Sequence, residues 1–418
     1  MSVEAPLPVT TSSAPKPAIA ETPARTETEA LYDQYVVPLA NRGLTIVRGK
    51  GRHVWDEAGT RYLDLGGGVA VNSLGHAHPA IRETLARQAE VLIHSSNLYY
   101  NEWQGRLARR IVELTGTGKV FFCNSGAEAN EGLIKLARKF GHETGRYEII
   151  TAHNSFHGRT MATLSATGQD KIKQGFDPLV PGFVHVPFND LAAVEAAITP
   201  KTVAVQIEGI QGEGGVVVAS PEYLLGLRKL TQKHSLLLLW DGVQDGYFRT
   251  GRWQSYERIL DGVAGAEGFK PDAIAMAKSL GAGYPIGAVW IREPYQNVFT
   301  PGSHGTTYGG SPLACAVALT VLDVVEREKL ADNIRARGDE LKRGLEALVG
   351  TRGIKEIRGY GGIIGMVVAD EPAVVVAKLT KAGLILIPAA NHAVRFLPPL
   401  NVTADEIAEA LKIVKESL

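Results

Sequence analysis

Between about residue 103 and residue 290, short and nearly continuous apolar runs alternate with stretches of helical periodicity, a pattern that few folds accommodate. The runs cover 119–123, 147–152, 183–186, 203–207, 236–240, 273–276 and 286–290. Most are too uniformly apolar to be half exposed, so they predict strands buried on both faces of a largely parallel sheet. Amphipathic segments such as 129–142 and 221–234 are long enough to cross over between them. In sheets of this kind ligands sit beyond the carboxyl ends of the strands, so chemistry is expected in the residues that follow each run.

The rest of the chain reads differently. Residues 1–28 are rich in Ala, Pro, Thr and Ser and predict a loose tail; Glu4, Glu21, Glu27 and Glu29 against a single Arg25 argue against a mitochondrial presequence. Residues 91–312 would form the large domain, with a smaller α+β domain built from 29–90 and 313–418. Within the smaller part, 314–343 and 404–418 read as helical, 359–369 and 384–387 as strands, and 44–65 as a hairpin turning at 55–59. Lys plus Arg (44) equals Asp plus Glu (44), which leaves no electrostatic case for nucleic acid or an acidic membrane. Two cysteines, Cys123 and Cys315, make neither a disulfide framework nor a zinc site, and no apolar stretch is long enough for a membrane span. A cytoplasmic location is expected.

Four strand ends carry unusual residues. After 119–123 comes Asn124-Ser125-Gly126-Ala127-Glu128-Ala129-Asn130-Glu131, a small-residue turn into a helix whose free N–H groups suit a phosphate, although ordinary capping uses the same residues. Beyond 147–152 lie Phe156, which can stack on a flat ring, and Arg159, which can hold a carboxylate; a core Phe and a surface Arg would look alike. His153 and His157 are four apart, but a strand end is not the helix that would aim both at one metal. Asp241, at the mouth of a buried strand, needs a cation or a cap, and a protonated pyridine nitrogen would serve as well as an Arg. Lys278, between a buried strand and a Gly-rich turn, is placed to be a desolvated, nucleophilic amine, with a snorkelling Lys as the alternative. A further loop, Gly302 to Pro312, carries Thr306 and Thr307 among glycines.

A phosphate turn, a stacking Phe, a strand-end Asp and a strand-end Lys, in that order, are the parts of a pyridoxal phosphate site. The chain resembles the class III, fold-type I aminotransferases from about Val37 to its C-terminus. The likeness runs through Leu74-Gly75-His76-Ala77-His78-Pro79, the Ser125 to Glu131 turn, Phe156-His157-Gly158-Arg159, Gln211-Gly212-Glu213-Gly214-Gly215, Asp241 to Gln244, Lys278, Thr306-Thr307 and Val394-Arg395-Phe396-Leu397-Pro398-Pro399. The resemblance implies an α/β fold with a mostly parallel seven-stranded sheet between helices. It implies that Lys278 carries pyridoxal 5'-phosphate as a Schiff base, that Asp241 pairs with the pyridine nitrogen, and that Phe156 stacks on the ring. It further implies that Val243 and Gln244 flank the ring, and that Ser125, Gly126 and Ala127 hold the phosphate. Thr307 of a neighbouring subunit would reach the same phosphate and Thr306 the substrate, so a homodimer is expected. Arg159 and Arg395 would bind substrate carboxylates, with Glu213 masking Arg395 during the ω-amine half-reaction.

The activity implied is transfer of the terminal amine of N2-acetylornithine to 2-oxoglutarate, a step of arginine biosynthesis. Ornithine, succinylornithine, 4-aminobutyrate or another ω-amine are alternative donors, because Gly209, Gly242, Asp245 and Tyr247 depart from the family pattern beside the pocket. Two rivals from other classes are an inert pyridoxal phosphate binder and a nicotinamide-dependent oxidoreductase; the latter lacks its GxGxxG fingerprint.

Overall fold

The computed structural model describes residues 26–418, which divide into two compact units at residue 46. In the first, helix Glu27–Tyr35 starts from a capping box in which Thr26 and Glu29 satisfy each other's backbone N–H groups. The Arg42 guanidinium lies 4.8 Å from the centre of the Tyr32 ring. The tail expected over 1–28 lies outside the described residues as far as 25, and that capping box makes 26–28 the start of a helix instead.

The second unit, residues 47–418, is built on a seven-stranded sheet. Its strands are β1 (Gly118–Cys123), β2 (Glu148–Ala152), β3 (Phe183–Val186), β4 (Thr202–Ile207), β5 (Leu237–Asp241), β6 (Ala273–Met276) and β7 (Gly287–Arg292). The spatial order is β1-β7-β6-β5-β4-β2-β3. Each apolar run of the sequence forms one strand, displaced at most by a residue or two at its ends. Neighbours from β6 to β3 pair parallel, and β7 alone runs against both of its neighbours. Every residue of β4, β5 and β6 is buried. The two-residue period sends Leu237, Leu239, Ala273 and Ala275 to one face, where they pack with Ala129, Leu133 and Leu136 of helix α1 (Gly126–Gly141). Leu238, Trp240, Ile274 and Met276 point into the main core on the other face.

Three smaller sheets accompany the seven-stranded one, among them the antiparallel pair Ile210–Gln211 and Val217–Val218. Strands His53–Asp56 and Arg61–Asp64 form the expected hairpin, and Leu384–Ile385 joins Arg61–Asp64 in parallel. A four-stranded sheet holds Ile354–Tyr360, Ile363–Val368, Ala393–Phe396 and Ile387–Ala389. The strand expected at 359–369 is Ile363–Val368, and residues 359 and 360 close the preceding strand of the same hairpin, because Gly361 takes φ 52° and reverses the chain. The helical stretch expected at 314–343 is two helices, Pro312–Arg327 and Leu330–Glu346, broken where Lys329 adopts φ 53°. No helix among the described residues is long and apolar enough to cross a membrane.

Register brings the strand ends together. Asp241 sits opposite Ala275, three residues before Lys278, and Trp240 sits opposite Ile207, so Glu208 emerges beside Asp241. At the other end of β5 and β6, Asp272 accepts hydrogen bonds from the Leu238 N–H at 2.8 Å and from Arg228 Nη1 at 3.0 Å. Asp272 is buried and Arg228 nearly so. Replacing Asp272 with Ala strands a guanidinium and an N–H, so Asp272→Ala is expected to cost roughly 3–5 kcal/mol in urea unfolding; a change below about 1 kcal/mol would contradict this role.

Candidate active site

A cavity of about 420 Å³ opens at the carboxyl ends of β1, β2, β4, β5 and β6. Lys278 follows β6 with φ 48°, a left-handed turn that takes its side chain out of the strand direction and into the cavity. Burial, reinforced by the Arg395 charge, pushes its amine down to about 8 against the opposing pull of Glu213, Asp241 and Glu208. About a tenth of the amine is therefore unprotonated at pH 7, far more than for a free lysine.

Asp241 ends β5 and is 3% exposed. Its Oδ2 accepts from Asn130 Nδ2 at 2.7 Å and pairs with His157 Nδ1 at 2.8 Å, while Oδ1 accepts from the Val243 N–H at 3.1 Å. Asn130 is itself held by Gln206 Nε2, at 2.9 Å to its Oδ1. The carboxylate thus faces the cavity with its position fixed from three elements and with no Lys or Arg bonded to it. Glu208 accepts the Phe156 N–H at 3.1 Å, and burial together with the Asp241 charge raises its carboxyl well above the usual range.

Opposite this group, Arg395 makes a bidentate pair with Glu213, Nη1 to Oε1 at 2.6 Å and Nη2 to Oε2 at 2.8 Å. Gln244 accepts from Arg395 Nη1 at 3.0 Å and donates to Glu213 Oε1 at 3.3 Å. Although burial opposes it, the guanidinium holds Glu213 below the usual carboxylate range. Arg159 is exposed at the cavity mouth, 5.5 Å from the centre of the Phe156 ring.

The cavity is therefore lined by Ser125, Gly126, Ala127, Phe156, Arg159, Glu213, Asp241, Val243, Gln244 and Lys278, and Arg395 reaches it through Glu213 and Gln244. Thr306 and Thr307 do not line it. Thr306 Oγ1 accepts from Asn124 Nδ2 at 3.1 Å, and Thr307 is exposed. His157 turns inward to Asp241, whereas His153 is exposed with its ring 6.2 Å from that of His185. Sequence reasoning passed over Asn130, Gln206 and Glu208. The available signal was an amide on the apolar face of a helix and another inside a buried strand, each of which must find a partner.

This donor set fits a flat cationic ring with an anionic tail and a carbonyl. Asp241 offers charge to a ring cation and Phe156 an aromatic face, and Lys278 offers an amine with a lowered pKa. At the start of α1 the N–H groups of Gly126 and Ala127 have no acceptor within the helix, which suits a phosphate.

The family model for class III aminotransferases matches residues 36–418. The acetylornithine aminotransferase of Caldanaerobacter subterraneus subsp. tengcongensis is 46% identical over 92% of this chain and 97% of its own. The succinylornithine transaminase of Salmonella paratyphi A is 44% identical over 91% of this chain and 93% of its own. An ornithine aminotransferase structure from Toxoplasma gondii, described as having partial occupancy of pyridoxal phosphate at its active site, superposes with a TM-score of 0.88 at 36% identity, covering 94% of both chains. The chain belongs to the class III aminotransferases. It is an α/β enzyme of the pyridoxal-phosphate-dependent transaminase type.

One buried acid in the site's surroundings titrates in an accessible range. Burial pushes the Asp245 carboxyl up to about 7, with the Asp241 charge acting in the same direction and bonds from the Ser255 hydroxyl and the Ile210 N–H opposing. The unfolded chain gives up this proton near pH 4, as free Asp does at about 3.9. From there to about pH 7 the native state holds more protons, so this group's contribution to stability is lost as pH rises through the window. Asp245→Asn should therefore flatten the melting-temperature profile between about pH 4 and 7; an unchanged slope would show that Asp245 ionises normally.

Proposed function

We propose that this aminotransferase moves the terminal amino group of N2-acetylornithine to 2-oxoglutarate, giving N-acetylglutamate 5-semialdehyde and glutamate. The observation that carries the reading is the pair of arginines, one exposed at the cavity mouth and the other locked by Glu213. A donor with one carboxylate needs only Arg159, and a second, bare guanidinium would oppose it. Glutamate and 2-oxoglutarate carry two carboxylates, and the second is bound when Glu213 releases Arg395. Relatives named for acetylornithine support this donor. Those named for succinylornithine and ornithine favour a second reading in which the substituent on the α-amine differs or is absent.

When bound, pyridoxal phosphate supplies an aldehyde for amine exchange and a ring that accepts the electron pair left as a proton departs the substrate carbon. The protein's own part follows from the geometry. Gly126 and Ala127 present N–H groups to the phosphate, with Ser125 beside them. Asp241, locked by Asn130 and His157, keeps a negative charge where the ring nitrogen would carry a proton. Phe156 would cover one face and Val243 and Gln244 would border the other. The Nζ of Lys278, whose lowered pKa brings its neutral form within reach near neutral pH, would take the proton from the amine-bearing carbon of the substrate and return it on the other side of the exchange.

A homodimer belongs to the same reading. Leu98, Tyr99, Tyr100 and Tyr308 are exposed by 85%, 70%, 107% and 66%. They lie on neighbouring segments tied by Asn97 Nδ2 to the carbonyls of Thr306 and Gly309. A second copy covering this apolar surface would bring its Thr307 and Thr306 toward the phosphate turn. The two-domain division at 91–312 and a cytoplasmic role in arginine biosynthesis complete the proposal.

Borohydride treatment of the yellow enzyme followed by peptide mapping should place the adduct on Lys278, and Lys278→Ala should abolish both adduct and turnover. In single-turnover assays Arg395→Ala should slow the glutamate half-reaction roughly a hundredfold and the acetylornithine half-reaction far less. Equal losses would overturn the assignment of Arg395.

A further inference from the structure

Gly209, Gly242 and Asp245 fall in one layer beneath the strand ends. Ser255 and Gln254 stand at the start of the short helix Ser255–Ile259 and fill the space that side chains at 209 and 242 would take. A Cβ on Gly209 would collide with Ser255 Oγ and the Trp240 ring, and one on Gly242 with Gln254 Oε1. Gly209 thus admits Ser255 to Asp245, whose Oδ2 accepts from Ser255 Oγ at 2.6 Å and from the Ile210 N–H at 2.8 Å, while Gly242 makes room for Gln254. Asp245 is 1% exposed, and its Oδ1 and both amide atoms of Gln254 are buried without partners. Packing alone would favour an apolar side chain here, since a buried carboxyl that is only half satisfied costs stability.

Asp245 stands next in sequence to one of the partners of Arg395 and is bonded to the strand that leads to the other. Gln244, the preceding residue, touches both Arg395 and Glu213, and Ile210 lies three residues before Glu213 on the strand Ile210–Gln211. We propose that Asp245 is a positioning residue that fixes the backbones of Gln244 and Glu213 relative to each other, and so sets how often Arg395 is released to a substrate carboxylate. This deepens the reading of Arg395 given above and rests on it.

The test is arginine labelling of the cofactor-free protein with phenylglyoxal, following the Arg395 peptide by mass spectrometry with fully buried Arg249 as the internal control. Asp245→Ala should label Arg395 roughly tenfold faster than the parent with Arg249 unchanged, as expected for losing both bonds. Asp245→Asn, which keeps an acceptor oxygen, should stay within about twofold of the parent. In the loaded enzyme Asp245→Ala should lower KM for glutamate several-fold and reduce kcat/KM for acetylornithine, a split that general loosening would not give. Unchanged Arg395 labelling, equal gains at Arg395 and Arg249, an Asn variant as fast as the Ala variant, or parallel kinetic losses would each overturn the proposal. If Asp245→Ala does not fold, Ser255→Ala, which removes one of the two donors, decides by the same labelling, and no change overturns the proposal. Labelling needs neither cofactor nor substrate, so faster labelling in a protein whose parent turns over neither donor would support this coupling while overturning the substrate reading.

Discussion

The architecture turns on fixing one carboxyl group, that of Asp241, in a place where water is scarce. Asp241 lies at the end of a strand buried along its whole length, and an isolated charge there would take up a proton or destabilise the fold. Instead an amide from α1, an imidazole from the loop after β2 and a backbone N–H from its own turn converge on it. Each partner comes from a different element, so strand order and register are prerequisites for the charge. Gln206 extends the arrangement by holding Asn130 from β4.

Around that fixed charge the other ionisable groups sort by environment. Glu208, one strand over, is driven toward its protonated form by burial and by the Asp241 charge. Glu213, equally close to the cavity, is held ionised by a bidentate guanidinium. Lys278 sits between acids and Arg395, with desolvation as the largest influence on it. A single pocket thus contains one acid pushed up, another held down and an amine lowered to about 8, with local contacts deciding which is which.

Much of this was legible in the sequence because buried parallel strands leave an unambiguous signature and because ligand sites follow strand ends. The seven apolar runs, and Lys278 and Asp241 at two of those ends, needed no more than that. What stayed hidden was long-range: nothing local in Asn130 or Gln206 says which of several buried acceptors each will meet. Besides the helix start at Thr26, two boundaries inside the second unit were misread for local reasons. Gly361 and Lys329 reverse or break the chain through left-handed backbone, and hydrophobic periodicity runs straight through both positions. Thr306 and Thr307 look equivalent in sequence, yet one is tied to Asn124 and the other points to solvent, a difference set by the fold of the loop.

The antiparallel β7 bears on how the protein is made. It pairs Gly287 with Cys123 and Arg292 with Gly118, so β1 is attached to the rest of the sheet only through a segment synthesised long after it. During translation the turn at Asn124 to Ala127 leaves the ribosome early but has no docked strand beneath it until residue 292 has followed. A nascent chain therefore cannot assemble its anion cradle piecemeal.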